Sequence, residues 1–188
     1  MSLTLLDPIT ALVVIDLQKG LAAYPTVHPL AEVVANAATL AAEFRERGLP
    51  VVLVNVSGGA PGRTEQARRI ARAFGPDFIE LLPELGQQPH DILVTKTTWG
   101  AFATTDLAAR LKAIGATQIV LAGVATSIGV ESTAREAFGL GFNVTLAVDA
   151  MTDLNADAHD NSVARIFPRL GETGTTAEIV ALLGTARG

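Results

Sequence analysis

The sequence predicts an α/β fold, a doubly wound three-layer sandwich around a mostly parallel sheet of about six strands. Short runs rich in Val, Ile and Leu alternate with helical patterns, and their near-continuous apolar character is typical of strands buried on both faces. Glycine follows several predicted helices just before the next strand, a position where it favours a helix end. The alternation predicts right-handed crossovers within a single domain covering residues 1–188.

The individual elements follow from these runs in chain order. The predicted strands are Thr10–Asp16, Pro50–Val56, Asp91–Lys96, Gln118–Ala122 and Asn143–Asp149. The predicted helices cover about Leu30–Arg47, Thr105–Ile114, Gly129–Gly139, Ala156–Phe167 and Thr176–Leu183. One long segment, Ser57–Gly75, opens with glycine and proline and is predicted to be either a lid or a subunit contact.

Composition narrows the classes of function. The net charge is −5 and there is no run of Lys or Arg, which argues against nucleic acid and anionic membranes as partners. Hydrophobic residues make up 49% of the chain, which favours a homo-oligomer, either a dimer or a tetramer. No apolar run approaches the ~20 residues of a transmembrane helix, and residues 1–7 lack signal-peptide features, so a cytoplasmic location is expected. The absence of cysteine excludes disulfides and thiolate catalysis.

Two charged residues end predicted strands. Ligands of open parallel sheets bind at the carboxyl ends of the strands, which directs attention to Asp16 and Lys96. A carboxylate that follows five apolar strand residues needs partners. Asp16 could alternatively be a helix cap or a ribose ligand, and Lys96 could form a purely structural ion pair with it. Two such charges would shift each other's pKa, which marks a candidate functional site.

Four segments together resemble the isochorismatase-like hydrolase superfamily, also called cysteine hydrolases. They are Ala11-Leu-Val-Val-Ile-Asp-Leu-Gln18, Lys96-Thr-Thr-Trp-Gly-Ala-Phe102, Gly123-Val-Ala-Thr-Ser-Ile-Gly-Val-Glu-Ser-Thr-Ala134 and Gly141-Phe-Asn-Val-Thr-Leu-Ala-Val-Asp-Ala150. Their order and spacing match the superfamily over nearly the whole chain. The resemblance places the catalytic Asp and Lys of that superfamily on Asp16 and Lys96, and its nucleophilic cysteine on Gly129.

The resemblance also implies which chemistry remains without a thiol. Isochorismatases, a subgroup of the superfamily, lack the cysteine too and can carry glycine there. In their reaction an acid protonates a vinyl ether, water adds, and the hemiketal collapses to pyruvate and an alcohol. Asp16 would be that acid if burial raised its pKa, whereas a nearby Lys96 ammonium would lower the pKa. An Asp16 ionised at pH 7 would instead assist the attack of water as a base.

Further binding residues are expected around these three. Gly129 would leave room for substrate or water, and the resemblance implies a non-proline cis peptide between Val124 and Ala125. Trp99 and Phe102 could form an apolar wall for a flat substrate, with ordinary core or interface packing as the alternative. The predicted substrate-binding residues are Gln18, Asn55, Arg63, Trp99, Phe102, Val124, Ala125, Thr126 and Ser127.

The chain departs from the superfamily at two places. True isochorismatases usually carry an Arg and a Tyr where this chain has Thr97-Thr98-Trp99-Gly100, although a dicarboxylic substrate needs cationic partners. Arg63 is the nearest candidate cation. Three further arginines, Arg68, Arg69 and Arg72, continue on a predicted helix. For each of the four arginines, a solvated face or a subunit contact is the favoured alternative. The segment Asn55-Val56-Ser57 lacks the Asp-x-His pair of nicotinamidases, so no metal and no other cofactor are expected.

These observations predict a metal-independent hydrolase of the isochorismatase type that acts on a small enol-ether or amide-like metabolite. Asp16 and Lys96 would assist the addition of water without a cysteine nucleophile. The alternative is a non-catalytic descendant that binds a metabolite or a partner protein. Asp153 is expected to be a surface or capping residue, and His159 an interface or capping residue.

Overall fold

The computed structural model describes residues 3–65 and 74–185. Six parallel strands form one sheet in the order β3-β2-β1-β4-β5-β6. The strands are β1 Thr10–Ile15, β2 Val51–Val56, β3 Ile92–Lys96, β4 Gln118–Val124, β5 Asn143–Thr152 and β6 Glu172–Gly174. The α/β class and the count of about six strands are therefore confirmed, and the sheet is entirely rather than mostly parallel.

Seven α-helices occur in the described part of the chain. They are α1 Lys19–Ala22, α2 Leu30–Glu46, α3 Pro76–Ile79, α4 Leu107–Ala113, α5 Glu131–Gly139, α6 Ala156–Asn161 and α7 Thr176–Thr185. None of the helices described is long and apolar enough to cross a membrane.

Helices cover both faces of the sheet because the central strands are apolar on both sides. On one face, Val13 and Ile15 of β1 pack in a core with side chains from α4 and α5. On the other face, Leu12 and Val14 of the same strand pack with side chains from α2 and α7. The near-continuous apolar runs are thus explained by burial on both sides.

Apart from β5, which extends to Thr152 instead of ending at Asp149, two segments near the carboxyl end of the chain differ from the sequence prediction. The sixth strand, β6, is only three residues long and contains glutamate, threonine and glycine, so no apolar run announces it. A single helix was expected over Ala156–Phe167, but the α-helix ends at Asn161 and a π-helical turn follows over Ser162–Ile166. A 3₁₀ turn, Phe167–Arg169, follows, and its Pro168 has no N–H to continue an α-helix.

The strand order reverses direction between β1 and β4, and this topological switch point positions the site. In sheets of this kind the loops on either side of the switch diverge and leave a crevice at the carboxyl ends of the strands. Asp16 follows β1 directly, and Val124 is the last residue of β4. The two strands approach closely here, because a Cβ on Gly123 of β4 would overlap the Ile15 carbonyl oxygen.

Candidate active site

A buried ion pair lies at the carboxyl end of the sheet. Lys96, at the end of β3, reaches across β2 and places its Nζ 2.7 Å from Oδ2 of Asp16. The Lys96 ammonium also donates to the Thr98 carbonyl oxygen at 3.1 Å. Asp16 is 5% exposed and Lys96 is 2% exposed, so water screens the pair weakly. The structure therefore brings together the two charges that end predicted strands, although β2 lies between those strands.

The two oxygens of the Asp16 carboxyl group are in different environments. Oδ2 accepts from Lys96, whereas the buried Oδ1 has no hydrogen-bond partner among the described residues. Burial raises the pKa of Asp16 from 3.8 to about 6, and the charge and hydrogen bond of Lys96 offset only part of that increase. At pH 7 this carboxyl is mostly ionised, yet a shift of about one pH unit protonates half of it.

The backbone holds Asp16 in an uncommon conformation. Its φ is 52°, in the left-handed region that non-glycine residues rarely adopt. The main chain on either side fixes this turn, because Asp16 N donates to the Val54 carbonyl and Gln18 N donates to the Asp16 carbonyl, both at 2.9 Å. Local strain of this kind persists where the surroundings impose it, and it is concentrated at functional sites.

Gly129 lies in a π-helical turn, Thr126–Val130, between β4 and α5. The preceding Val124–Ala125 peptide bond is cis. A Cβ built on Gly129 would lie 3.3 Å from Oδ2 of Asp16, 3.0 Å from Cγ2 of Ile15 and 3.2 Å from the Val124 carbonyl oxygen. These distances are shorter than ordinary van der Waals contacts, so a side chain at position 129 would press on its neighbours.

The open space beside Asp16 is a cavity of about 80 Å³ on the α2 side of β1. Most of the lining is apolar. The lining residues are Asp16, Leu17, Gln18, Leu21, Ala22, Tyr24, Thr26, Leu30, Leu82, Val124, Ala125, Asp153 and Leu154.

Three of the predicted substrate-binding residues line this cavity: Gln18, Val124 and Ala125. The side-chain amide of Gln18 is already engaged. Its Nε2 donates to the Val56 and Phe78 carbonyls, and its Oε1 accepts from Val56 N at 2.7 Å. Gln18 therefore joins β2 to α3 and shapes the cavity wall, and both Nε2 hydrogens are already used within the protein.

Four other predicted residues lie elsewhere. Phe102 is buried in the core and stacks on Phe142 at a ring distance of 5.8 Å, which is the core packing given as the alternative to a substrate wall. Trp99 is 59% exposed and lies outside the cavity lining. Asn55 donates to the Ile79 carbonyl and lines a separate cavity. Arg63 is exposed in the Ser57–Gly75 segment, and Arg68, Arg69 and Arg72 lie outside the described residues.

Thr126 and Ser127 are bound to residues that the sequence did not single out for the site. The Thr126 hydroxyl lies 2.9 Å from Nδ1 of His159, and Ser127 N donates to Oδ2 of Asp153 at 2.7 Å. Both partners are buried, and Asp153 accepts backbone N–H groups with both carboxyl oxygens, so of its two expected positions it has the capping one and not the surface one. A signal for Asp153 existed, since it directly follows β5, but that strand was predicted to end at Asp149, three residues before its actual end at Thr152.

The residues at the end of β2 do not fit a metal. Asn55 offers an amide instead of a carboxylate, its Nδ2 donates to the Ile79 carbonyl, and Ser57 takes the place of an imidazole. Across residues 3–65 and 74–185, no three His, Asp or Glu side chains converge in a geometry that could hold a metal ion.

Comparison with known proteins agrees with this architecture. The sequence profile of the isochorismatase domain matches residues 10–178. The chain belongs to the isochorismatase family. Within this family it is 43% identical over 177 residues to the uncharacterized isochorismatase family protein YwoC of Bacillus subtilis strain 168, covering 91% of this chain and 92% of YwoC. The ureidoacrylate amidohydrolase RutB of Variovorax paradoxus strain S110 is 30% identical over 179 residues, which cover 79% of this chain and 71% of RutB.

A solved family structure superposes closely. An isochorismatase family protein from Burkholderia thailandensis is 42% identical, covers 97% of this chain and 100% of its own, and gives a TM-score of 0.93. The α/β sandwich with a parallel sheet is therefore the fold of this isochorismatase-family chain.

Proposed function

We propose that this isochorismatase-family protein is a metal-independent hydrolase of a small metabolite, in which Asp16 assists the addition of water without a cysteine nucleophile. The observation that carries the proposal is the state of Asp16. It lines the cavity, one of its carboxyl oxygens lacks a partner in the described chain, and burial raises its pKa to about 6. Proton transfer is most efficient when the pKa of the catalytic group lies near the working pH.

At neutral pH the carboxylate form dominates, which favours an amide-like substrate. Asp16 then takes a proton from water as the water oxygen bonds to the carbonyl carbon. The same carboxyl returns that proton to the leaving nitrogen as the carbon–nitrogen bond breaks. Lys96 holds Oδ2 and so orients the carboxyl group. The relative RutB is an amidohydrolase, which supports an amide-like substrate for this chain.

An enol ether is the second candidate substrate, because a protonated Asp16 could deliver its proton to carbon. A raised pKa of about 6 supplies this acid form below neutrality. The two substrate classes require opposite protonation states of the same group, so the direction of the pH profile distinguishes them.

The test is turnover of a panel of small amides and enol ethers by the purified protein in the presence of a chelator. Asp16→Asn should abolish turnover and leave the circular dichroism spectrum unchanged. Asp157→Asn is the matched control, because Asp157 is exposed on α6 and should not affect turnover. A wild-type protein that hydrolyses no panel member, yet binds one tightly, would favour the non-catalytic alternative.

A further inference from the structure

We infer that the cavity beside Asp16 selects an uncharged, largely apolar molecule with one polar group, and that it rejects carboxylates. As a statement about substrate, this rests on the proposed function; as a statement about ligand binding, it stands alone. Three features of the cavity carry the inference: its apolar walls, the engagement of its polar groups and the sign of its charges.

The apolar walls come from several elements that converge on the cavity. Leu21 and Ala22 of α1 lie on one side, Leu30 begins α2, and Leu82 and Leu154 belong to connecting segments. A charged ligand group placed among these side chains would lose its hydration without a replacement. The walls therefore favour contact with hydrocarbon.

The polar groups that line the cavity are mostly satisfied by the protein itself. The Gln18 amide is bound to β2 and α3, and the Thr26 hydroxyl donates to the His28 carbonyl at 2.7 Å. Asp153 accepts backbone N–H groups with both carboxyl oxygens. Among the described lining residues, Oδ1 of Asp16 is the buried side-chain polar atom that lacks a hydrogen-bond partner.

The charges that line the cavity are all of one sign. Asp16 and Asp153 are carboxylates, and within residues 3–65 and 74–185 no Lys or Arg side chain is part of the lining. Lys96 lies outside the lining, and its ammonium is bound to Asp16 and the Thr98 carbonyl. Among the described residues, an anionic ligand would meet like charge and no cationic lining side chain. A dicarboxylate such as isochorismate would need cationic partners in this cavity.

This polarity also suits the direction of the proposed reaction. Hydrolysis of an uncharged amide turns a neutral carbonyl compound into a carboxylate. The same walls that accept the amide should therefore expel the acid product and limit product inhibition.

A matched pair of probes tests the inference by calorimetry near pH 8. Cyclohexanecarboxamide and cyclohexanecarboxylate share the same hydrocarbon and differ chiefly in charge. The wild-type protein should bind the carboxamide at least about tenfold more tightly. Equal or tighter binding of the carboxylate overturns the inference, and so does binding of neither probe at millimolar concentration. Carboxamide binding without turnover counts against the proposed function but supports the ligand class.

Two substitutions locate the binding and test its electrostatic origin. Ala22→Trp should fill the cavity and abolish carboxamide binding, whereas Ala23→Trp, at an exposed neighbour outside the lining, should not. Leu154→Arg adds a cation at a lining position that is 52% exposed, and it should narrow the preference for the carboxamide. Leu140→Arg, at an exposed site away from the cavity, is the control; equal effects of these two arginines would contradict the electrostatic explanation.

Discussion

Lys96 Nζ lies 2.7 Å from Oδ2 of Asp16, and Oδ1 of the same carboxyl group lacks a hydrogen-bond partner in the described chain. Lys96 therefore fixes the orientation of the Asp16 carboxyl group. Its charge and hydrogen bond offset only part of the free-energy cost of burying the carboxylate form. Burial dominates, so the pKa of Asp16 rises to about 6 despite the adjacent ammonium. A carboxyl group that changes protonation so near neutrality can act as a base or as an acid.

The pH dependence of turnover should follow the ionisation of Asp16. With an amide substrate, kcat/KM should rise about tenfold per pH unit below 6 and level off above pH 7, because the carboxylate is the active form. A stopped assay at constant ionic strength over pH 4.5–8.5 measures this profile. A rate that falls with pH through the same range would instead identify Asp16 as an acid and favour an enol ether.

Removing the ammonium should raise the pKa of Asp16 further. Lys96→Met leaves the buried carboxyl without its partner, so the midpoint of the pH profile should move above 6. The free energy of unfolding at pH 7.5 should fall by about 3–5 kcal/mol, the usual cost of breaking a buried pair. Lys112→Met, at an exposed position of α4, controls for the substitution itself. A midpoint that stays at the wild-type value would show that Lys96 does not act on Asp16.

A methyl group at position 129 should disturb the carboxyl group. Gly129→Ala places a Cβ at 3.0–3.3 Å from Ile15, Val124 and Asp16, so the neighbours must shift. Overpacking of this kind should lower the free energy of unfolding by about 2 kcal/mol. Turnover should also fall, because Asp16 is one of the displaced neighbours. Gly139→Ala is the matched control, because a Cβ there meets open space. Denaturant titration and kcat measure the two effects, and equal behaviour of the two variants would refute the tight packing at Gly129.

The pairing of Asp16 with Lys96 is the part of the site that can be predicted from the strand patterns in the sequence. Both residues end apolar runs, and the ends of parallel strands meet at one edge of a sheet. Side-chain direction is different, because it depends on contacts between distant segments. Trp99 and Phe102 are three residues apart and equally apolar, yet Phe102 packs against Phe142 while Trp99 is exposed. No local pattern distinguishes them.

The register of strand pairing and the lengths of β5 and β6 could not be predicted from the sequence either. The pairing of β4 with β5 shifts between Leu121 and Gly123, and β5 then continues to Thr152. This extension places Asp153 beside the turn that contains Gly129, whereas a strand ending at Asp149 would not. Strand β6 belongs to the sheet through only three paired positions, and its short polar sequence gives no periodic signal.

The raised pKa of Asp16 should also appear in protein stability. The folded state binds the proton up to about pH 6, whereas an unfolded Asp releases it near 3.8. The contribution is therefore present at low pH and is lost as the pH rises from about 3.8 to 6, by about 3 kcal/mol. The difference between the denaturation curves of wild type and Asp16→Asn isolates it. Hydrogen bonds from Thr175 lower the pKa of Glu178, so its contribution to stability has the opposite pH dependence. Glu178 is present in both proteins, and its contribution therefore cancels in the difference. A difference independent of pH would contradict a raised pKa.

The hydrogen bond between Thr126 and His159 should hold the turn that contains Gly129. Burial, and then the nearby His28, lower the pKa of His159, so the neutral imidazole is the form that pairs with the Thr126 hydroxyl at 2.9 Å. Thr126→Val leaves Nδ1 of this buried ring without its partner, which should cost about 1–3 kcal/mol of unfolding free energy at pH 7.5. Thr39→Val is the control, because its exposed hydroxyl bonds only to the Ala35 carbonyl within α2. Equal losses in urea titrations of the two variants would show that the pair does not stabilise the turn.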